Sequence, residues 1–375
     1  MSKQTEWRRT TLGEALPIRY GKARTDKAGV VREETPVYGS SGLIDKFDRA
    51  LTNGPTLIIG RKGTVGATHY CSEPCWPIDT VYFVEGSEGK DLRFFKYLLD
   101  YLQLGRMDRS TAVPGLSRDD YNAKEVAIPD GDEQHRIVAE IEKQFTRLDA
   151  GIASLKRVQA ALKRHRASVL KSACEGAWPR TTVAKVATDV RYGTSAKTTE
   201  GPSGVPVIRM GNIIDGRLSL EKLKFLPNSH REFPDLLLKS GDLLFNRTNS
   251  AELVGKTAVY HGTPEPCSFA SYLIRVRVNP EYSPDFLSYY LNSAHGRKWI
   301  ASVVSQQVGQ ANVNGTKLKA LEIPNPPLAD QTRIVAEVER RLSVVEELDA
   351  VVSANLQRAT RLRQSILQKA FSGAL

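Results

Sequence analysis

The segment "DEQHRIVAEIE" at 132–142 returns as "ADQTRIVAEVE" at 329–339. From Gln134 and Gln331 onward the two copies keep constant spacing through "RHRASVLKSACEGAW" (164–178) and "RLRQSILQKAFSGAL" (361–375). A gapless match of that length is the mark of a rigid helix, where one inserted residue would turn every later side chain by about 100°. Val138, Ile141, Phe145, Leu148, Ile152, Leu155, Gln159, Leu162, Arg166 and Val169 follow alternating steps of three and four, the seam of a coiled coil. The second copy carries the same seam as Val335, Val338, Leu342, Val345, Asp349, Val352, Leu356, Ala359, Arg363 and Ile366. Prolines before each copy (Pro129; Pro326 and Pro327) mark the starts. Each helix is expected to be about 40 residues and roughly 60 Å long. Such a rod outruns an ordinary domain, and the matching seam nearest to it in the chain is its own duplicate.

Charge sets the expected sense of that pairing. Both copies are acidic early and basic late, so parallel packing would oppose like with like. Antiparallel packing is expected to bring Arg166 to Glu339, Arg363 to Glu140 or Glu142, and Asp349 to Lys156 or Arg157.

The remaining segments echo each other more weakly. "WRRTTLGEALPIRYG" (7–21) resembles "WPRTTVAKVATDVRYG" (178–193), and both segments mix short β-rich runs with helices. "PTLIIGRKGTVGATHY" (55–70) reads strand, glycine loop, strand, and "GDLLFNRTNSAELVGKTAVY" (241–260) follows the same plan. The fold class expected is α+β: two globular domains of related fold separated by two long helices forming an antiparallel coiled coil. The expected bounds are 1–130 and 177–326 for the domains, 131–176 and 327–375 for the helices.

A net charge of +11 and a pI near 9.4 favour a polyanion as partner, because clustered Lys and Arg release counterions from phosphates. No apolar run approaches the roughly 20 residues that span a bilayer, and the first residues lack the apolar core of a signal peptide, so no membrane association and a cytoplasmic location are expected. Four scattered cysteines fit reduced thiols.

Loop residues in both domains suit double-stranded DNA. In the first, Tyr38, Ser40 and Ser41 of "YGSSG", Arg61 and Lys62 of "GRKGTVG", and Arg106, Arg109 and Arg118 are candidates, with Gly60, Gly63 and Gly66 expected to allow close approach to a phosphate or groove edge. In the second, the candidates are Arg209, Asn212, Arg247, Asn249, Lys256, Gln306, Gln307, Gln310 and Asn312. Arg can read guanine, and Asn or Gln adenine, by bidentate hydrogen bonds in the major groove. Arg19-Tyr20-Gly21 and Arg191-Tyr192-Gly193 recur at equivalent places, where they either support a shared turn or touch DNA backbone, the turn being favoured.

Ile128-Pro129 before Gln134-x-Arg136-Ile137-Val138, and Ile323-Pro324 before Gln331-x-Arg333-Ile334-Val335, resemble a motif of the specificity subunit of type I restriction-modification enzymes, and the alternation of variable and helical segments extends that resemblance over essentially the whole chain. The first copy departs by having Asp130-Gly131 where prolines are usual. The resemblance implies a subunit without catalytic residues or a bound metal, whose two target-recognition domains each read half of a split DNA target. It further implies two modification (methyltransferase) subunits as partners, restriction and translocase subunits beside them, and no cofactor on this chain: S-adenosylmethionine belongs to the modification subunit, ATP and Mg to the restriction subunit. The alternative is a stand-alone DNA methyltransferase or nuclease, and a third reading is a pure assembly protein. Asn325-Pro326-Pro327 echoes a methyltransferase motif, but Leu328 stands where an aromatic residue would stack on the flipped base, and no glycine-rich cofactor loop follows a strand upstream. Asp79 with Glu88 and Lys90 echoes a nuclease pattern without a second metal-binding carboxylate. His69, Cys71 and Cys75 would supply three zinc ligands and lack a fourth nearby.

Overall fold

Both repeats fold as single uninterrupted helices, Gly131–Ala173 and Leu328–Phe371, of 43 and 44 residues. The computed structural model describes residues 7–24, 34–86, 90–107, 115–250, 252–307 and 310–373, with the backbone alone at 107, 305–307 and 310. Arg109 and the Glu88-Gly89 pair lie outside the described residues. The chain divides into two units, 1–156 with 353–375 and 157–352, so each unit takes one globular domain and a stretch of both long helices.

In the first unit the continuous apolar run "TLIIG" is buried at all five positions, as a strand covered on both faces must be. It lies inside an antiparallel sheet ordered Arg19–Tyr20, Val81–Glu85, Thr56–Gly60, Thr68–Cys71. A smaller sheet follows the order Gly42–Phe47, Thr35–Gly39, Trp76–Pro77. Strand Arg8–Thr11 pairs with Glu125–Ile128, tying the start of the domain to its end just before the first long helix. Asp91 caps helix Leu92–Leu102, which drives Phe94, Phe95, Leu98 and Leu99 into the core.

The second unit repeats this plan. Its main sheet runs Ala187–Tyr192, Leu273–Val278, Asp242–Asn246, Thr257–Tyr260, and its smaller sheet Lys224–Leu226, Val205–Ile208, Ser268–Phe269. Arg180–Thr182 pairs with Glu322–Pro324 as the closing clasp, and helix Pro284–Asn292 takes the place of Leu92–Leu102. One substitution inside the common plan is large. Phe83 pairs with Arg19 in the first sheet, and Arg275 pairs with Arg191 in the second. Arg275 is fully buried, with Nη2 on Asp189 at 2.7 Å, Nη1 on the Asp235 and Leu237 carbonyls at 3.1 Å each, and Arg277 beside it held by Asp242. The alternation in "LIRVRV" suggests two solvent-facing arginines; a buried charge is tolerated here because carboxylates and carbonyls surround it.

Within each unit the two long helices pack on each other and on the domain. In the first unit Ile137, Val138, Ile141 and Phe145 share a core with Ile366, Leu367 and Ala370, and Phe371 meets the rings of Phe94 and Tyr101 at 5.5 and 5.4 Å. The first turns of one helix therefore lie beside the last turns of the other. In the second unit Val169 and Leu170 pack with Val338 and Leu342, last turns beside first. The helices run in opposite senses. Along the middle of the first helix Leu148, Ile152, Leu155 and Leu162 are each half-buried between exposed neighbours; along the second, Val335 and Leu356 are half-buried, and Val345, Val352 and Ala359 are buried.

The antiparallel sense agrees with the charge argument, but two of the three expected pairings are displaced by one heptad. Arg166 reaches Glu346 at 3.5 Å, seven residues beyond Glu339, and Arg363 reaches Asp149 at 2.8 Å, seven beyond Glu142. A seam of period seven is unchanged when one helix slides by seven residues, so periodicity cannot choose between these registers. Packing at the helix ends can. Phe371 in the core of the first domain sets how far the last turn extends, and Arg363 lies 4.2 Å above the Phe145 ring on the way to Asp149.

The glutamine of the repeated motif has a defined task. Gln134 and Gln331 are both buried, and each Nε2 donates to the carbonyl of the proline five residues earlier, Pro129 at 3.0 Å and Pro326 at 2.9 Å. Each amide thus closes the bend by which the chain leaves the clasp and enters the helix. Gln331 also accepts from the Ser283 amide at 2.7 Å, whereas Gln134 Oε1 has no partner among the described residues. Asp130 caps the first helix by accepting from Glu133 N at 2.9 Å, doing locally what the departed prolines of the first copy do not.

Two outcomes follow. Gln331→Ala is expected to lower unfolding free energy by roughly 2 kcal/mol, and Gln134→Ala by less, because both strand a buried proline carbonyl and only the former also strands the half-buried Ser283 amide; chemical denaturation of both variants compares them. A double-mutant cycle on Arg363 and Asp149 should give a coupling of about 0.5 kcal/mol, an exposed pair's worth, with none between Arg363 and Glu142. The opposite ranking would mean that the register is set at 339 and 142.

Candidate nucleic-acid interface

In the first unit strand Thr56–Gly60 delivers Arg61 to a crowded edge. Its amide donates to the Thr80 carbonyl at 3.0 Å, and its own carbonyl accepts from Leu116 N at 2.9 Å, fixing the backbone from both sides. The guanidinium then lies over Tyr20, 5.4 Å from the ring centroid, with Nη2 donating to the Asp79 carbonyl at 2.8 Å. Arg118 takes a second position over the same ring at 5.6 Å and donates to the Ile18 carbonyl at 3.4 Å. Lys62 is exposed and bridges to Gly115. Ser40, at the turn between Thr35–Gly39 and Gly42–Phe47, sits against this loop: a Cβ placed on Gly63 would lie 3.1 Å from its hydroxyl. Ser41 beside it is exposed. The structure therefore gathers Arg61 and Arg118 over Tyr20, with Lys62 next in the chain and Ser40 against the same glycine loop. Arg106 is exposed on the short helix Leu104–Met107, which backs directly on Gly66.

Two expectations for this domain are corrected. The glycines of "GRKGTVG" serve the protein's own chain, since a Cβ on Gly66 would come within 2.3 Å of Gly105 N, so the freedom at that loop is spent on internal packing. Tyr38 is half-buried against the cluster of Ile58, Cys71, Cys75 and Val81, with burial pushing its pKa up to about 12, so its ring serves packing as well as any groove.

The second unit builds the same edge with different furniture. Arg247 N donates to the Tyr272 carbonyl at 3.0 Å, its carbonyl accepts from Val313 N at 2.9 Å, and its guanidinium lies 4.9 Å over Tyr192 while Nη1 donates to the Ser271 carbonyl at 3.4 Å. The Tyr192 hydroxyl accepts from Gly315 N at 2.7 Å. Thr248–Asn249, Gln310–Asn312 and Ser305–Gln307 form a three-stranded sheet that continues from Arg247. This places the backbones of Gln306, Gln307 and Gln310 beside Asn249 and Asn312; the side chains of those three glutamines lie outside the described ones. Asn312 Nδ2 donates to Thr248 Oγ1 at 3.0 Å, and Asn249 accepts from Ser250 N at 2.8 Å.

Other expected contacts of this domain are redirected. Asn212 is buried, its Nδ2 donating to the Ser219 and Glu221 carbonyls at 2.9 and 3.0 Å and its Oδ1 accepting from Arg209 N at 3.0 Å, so its amide has no donor left for a base. Arg209 is tied to the same turn through the Lys222 carbonyl at 2.9 Å. Lys256 lines a cavity of about 1080 Å³ in the second unit, in company with Arg166, Glu346 and Asp349, and its carbonyl accepts from Asn246 N at 2.9 Å.

Tyr20 and Tyr192 are the functional candidates that loop chemistry alone passed over. They are 48% and 42% exposed, unusual for large rings at the end of a buried sheet, and each carries an arginine. The repeated Arg-Tyr-Gly was the available signal. Its glycine explains the turn half of the motif: a Cβ on Gly21 would lie 1.9 Å from the Ile78 carbonyl oxygen, and one on Gly193 2.3 Å from that of Phe269.

The remaining chemistry-bearing groups are occupied by the fold. Cys75 is buried and hydrogen-bonds with Thr52, and burial pushes its thiol up to about 11, while Cys71 donates to the Glu73 carbonyl and His69 Nε2 lies 3.1 Å from the Ser40 carbonyl. Among the described residues no three His, Cys, Asp or Glu side chains come together to hold a metal ion. Asn325 N donates to the Pro179 carbonyl at 2.8 Å and Pro326 receives Gln331, so Asn-Pro-Pro is the bend between clasp and helix. No described helix is long and apolar enough to cross a membrane.

The model of the type I restriction modification DNA specificity domain matches residues 4–164 and again 184–344, each match taking in one globular domain and much of the helix that follows it. The chain belongs to this family. It is 29% identical over 266 residues to the type I restriction enzyme EcoKI specificity subunit of Escherichia coli K12, covering 67% of this chain and 57% of that protein. It is 26% identical over 354 residues to the EcoBI specificity subunit of Escherichia coli, covering 85% and 73%. The chain thus spans little more than half the length of the EcoKI relative. Among solved structures, a chain from a study of assembly and conformational transition in the type I restriction-modification system superposes with a TM-score of 0.75 at 17% identity, covering all of both chains. The HsdS subunit from Thermoanaerobacter tengcongensis gives 0.51 at 18% identity, covering 100% of this chain and 99% of that one. For this specificity-family fold, Asn212→Ala should cost roughly 2 kcal/mol in denaturant titration and leave DNA sequence preference unchanged; an altered preference in a variant of ordinary stability would restore Asn212 as a base reader.

Proposed function

We propose that this chain is the sequence-specific DNA-recognition subunit of a type I restriction-modification complex. The observation that carries the reading is the doubled family match laid over a doubled edge: two domains of one topology, each presenting a basic loop built on an exposed tyrosine, with unlike surrounding loops. Two readers of one design with different loops suit a target in two unlike halves. The positive charge supplies affinity for the phosphates, and the loop side chains supply sequence preference. The paired helices then act as a ruler between the half-sites. In this reading the chain performs no catalysis, two modification subunits that methylate adenine at N6 dock on it, and restriction subunits join them. S-adenosylmethionine is carried by the modification subunits, and ATP with Mg by the restriction subunits. The complex works in the cytoplasm.

Mapping N6-methyladenine in a genome that expresses the chain with its modification subunits should reveal one split motif. Inserting seven residues into each long helix, about 10 Å of rise and one heptad, preserves both seams and should lengthen the spacer of that motif by about three base pairs. Methylation by the purified chain alone would favour the stand-alone enzyme, and a spacer indifferent to the insertion would remove the ruler.

A further inference from the structure

We infer that the Arg61–Tyr20 and Arg247–Tyr192 pairs are one device built twice: a clamp for the DNA sugar-phosphate backbone, common to both halves of the target, and not a reader of bases. The inference rests on the DNA-recognition reading above and assigns a role to particular residues within it.

The two arginines are held alike down to the main chain. In both, the amide donates to a carbonyl at 3.0 Å and the carbonyl accepts from an amide at 2.9 Å. The guanidinium lies over a tyrosine at 5.4 or 4.9 Å while donating to the carbonyl one residue before the first, Asp79 or Ser271. In both, Nε is buried with no partner among the described residues and one Nη is tied to a carbonyl, so an anion would be met by the remaining Nη donors. What surrounds the pair is not shared. Lys62 follows Arg61 and Thr248 follows Arg247; Arg118 adds a second cation over Tyr20, whereas Gly315 stands at the corresponding helix start and bonds the Tyr192 hydroxyl. The sequences "RMDRSTAVPG" (106–115) and "SQQVGQAN" (305–312) have no residue pattern in common.

Readers of different sequences must differ where they touch bases, and what stays constant between two half-sites is the phosphodiester. An arginine that read bases would recognise guanine, which would force a guanine at the same place in both halves. A guanidinium pinned to a carbonyl and held over a ring is restrained from swinging to choose among bases, and it presents N–H groups at a fixed place for an anion. The half-exposed ring beside it offers a flat apolar face to a deoxyribose.

The test uses the complex assembled with its modification subunits, on two duplexes: one carrying the mapped split motif and one of unrelated sequence. Arg61→Ala and Arg247→Ala should each weaken binding to both duplexes by a similar factor, about tenfold at low salt, and lower the slope of log affinity against log salt by about one. The methylated motif should not change. Arg61→Lys, which keeps the charge, should recover most of the salt slope and serves as the folded control if the alanine variant melts early. A changed base at one half-site, or weakening confined to the motif duplex, would make the arginine a base reader and overturn the clamp. Unchanged affinity in a variant of ordinary melting temperature would reduce the pair to a support of the turn and overturn it equally. A wild-type complex that binds both duplexes alike and methylates no split motif would remove the DNA-recognition reading itself.

Discussion

The structure depends on one constraint: two apolar seams of period seven, each too long for a domain to cover, must cover each other in opposite senses. Neither helix is amphipathic in the broad manner of a surface helix, and each keeps only a narrow stripe out of water through its middle turns. Pairing the stripes leaves the register undecided to the nearest heptad. The ends decide it, where Phe371 enters an aromatic cluster in the first unit and Val169 and Leu170 meet Val338 and Leu342 in the second. The ion pairs then fall in equivalent places, Arg166 with Glu346 and Arg363 with Asp149, so the duplication in the sequence is also a duplication of contacts.

Duplication preserved the parts whose geometry is demanding and released the rest. The glutamine that bends the chain into each helix, the two-strand clasp before it and the arginine laid over a tyrosine are kept almost atom for atom. The core of the sheet was free to change even in kind: a phenylalanine in one copy corresponds to an arginine network in the other. That exchange is possible because the second unit supplies two carboxylates and two carbonyls around Arg275, without which a buried guanidinium would cost several kcal/mol.

How far the sequence could be read follows from the range of the physics involved. The helices, their sense and the related topology of the two domains were legible because a seven-residue period and opposite-end charge are properties of the string itself. The register was not, since Glu339 and Glu346 stand at the same heptad position. Asn212 and Tyr38 were misplaced for a different reason: both are polar residues in turn-rich stretches, and only the fold shows that Asn212 is enclosed by carbonyls and that Tyr38 packs on a buried cluster of Ile58, Cys71, Cys75 and Val81. The arginines of the loops were found by residue type, whereas the tyrosines beneath them had to be inferred from a three-residue echo whose glycine alone had an obvious purpose.

The division of the helices between the units has a consequence for how the protein is made. The core around Phe94 and Leu98 is completed by Ile366, Leu367, Ala370 and Phe371, which leave the ribosome only after the whole of residues 157–352. The domain that is synthesised first is therefore finished last. Its neighbour is assembled wholly from residues 157–352, one unbroken stretch of chain, so its parts can meet in the order in which they are made.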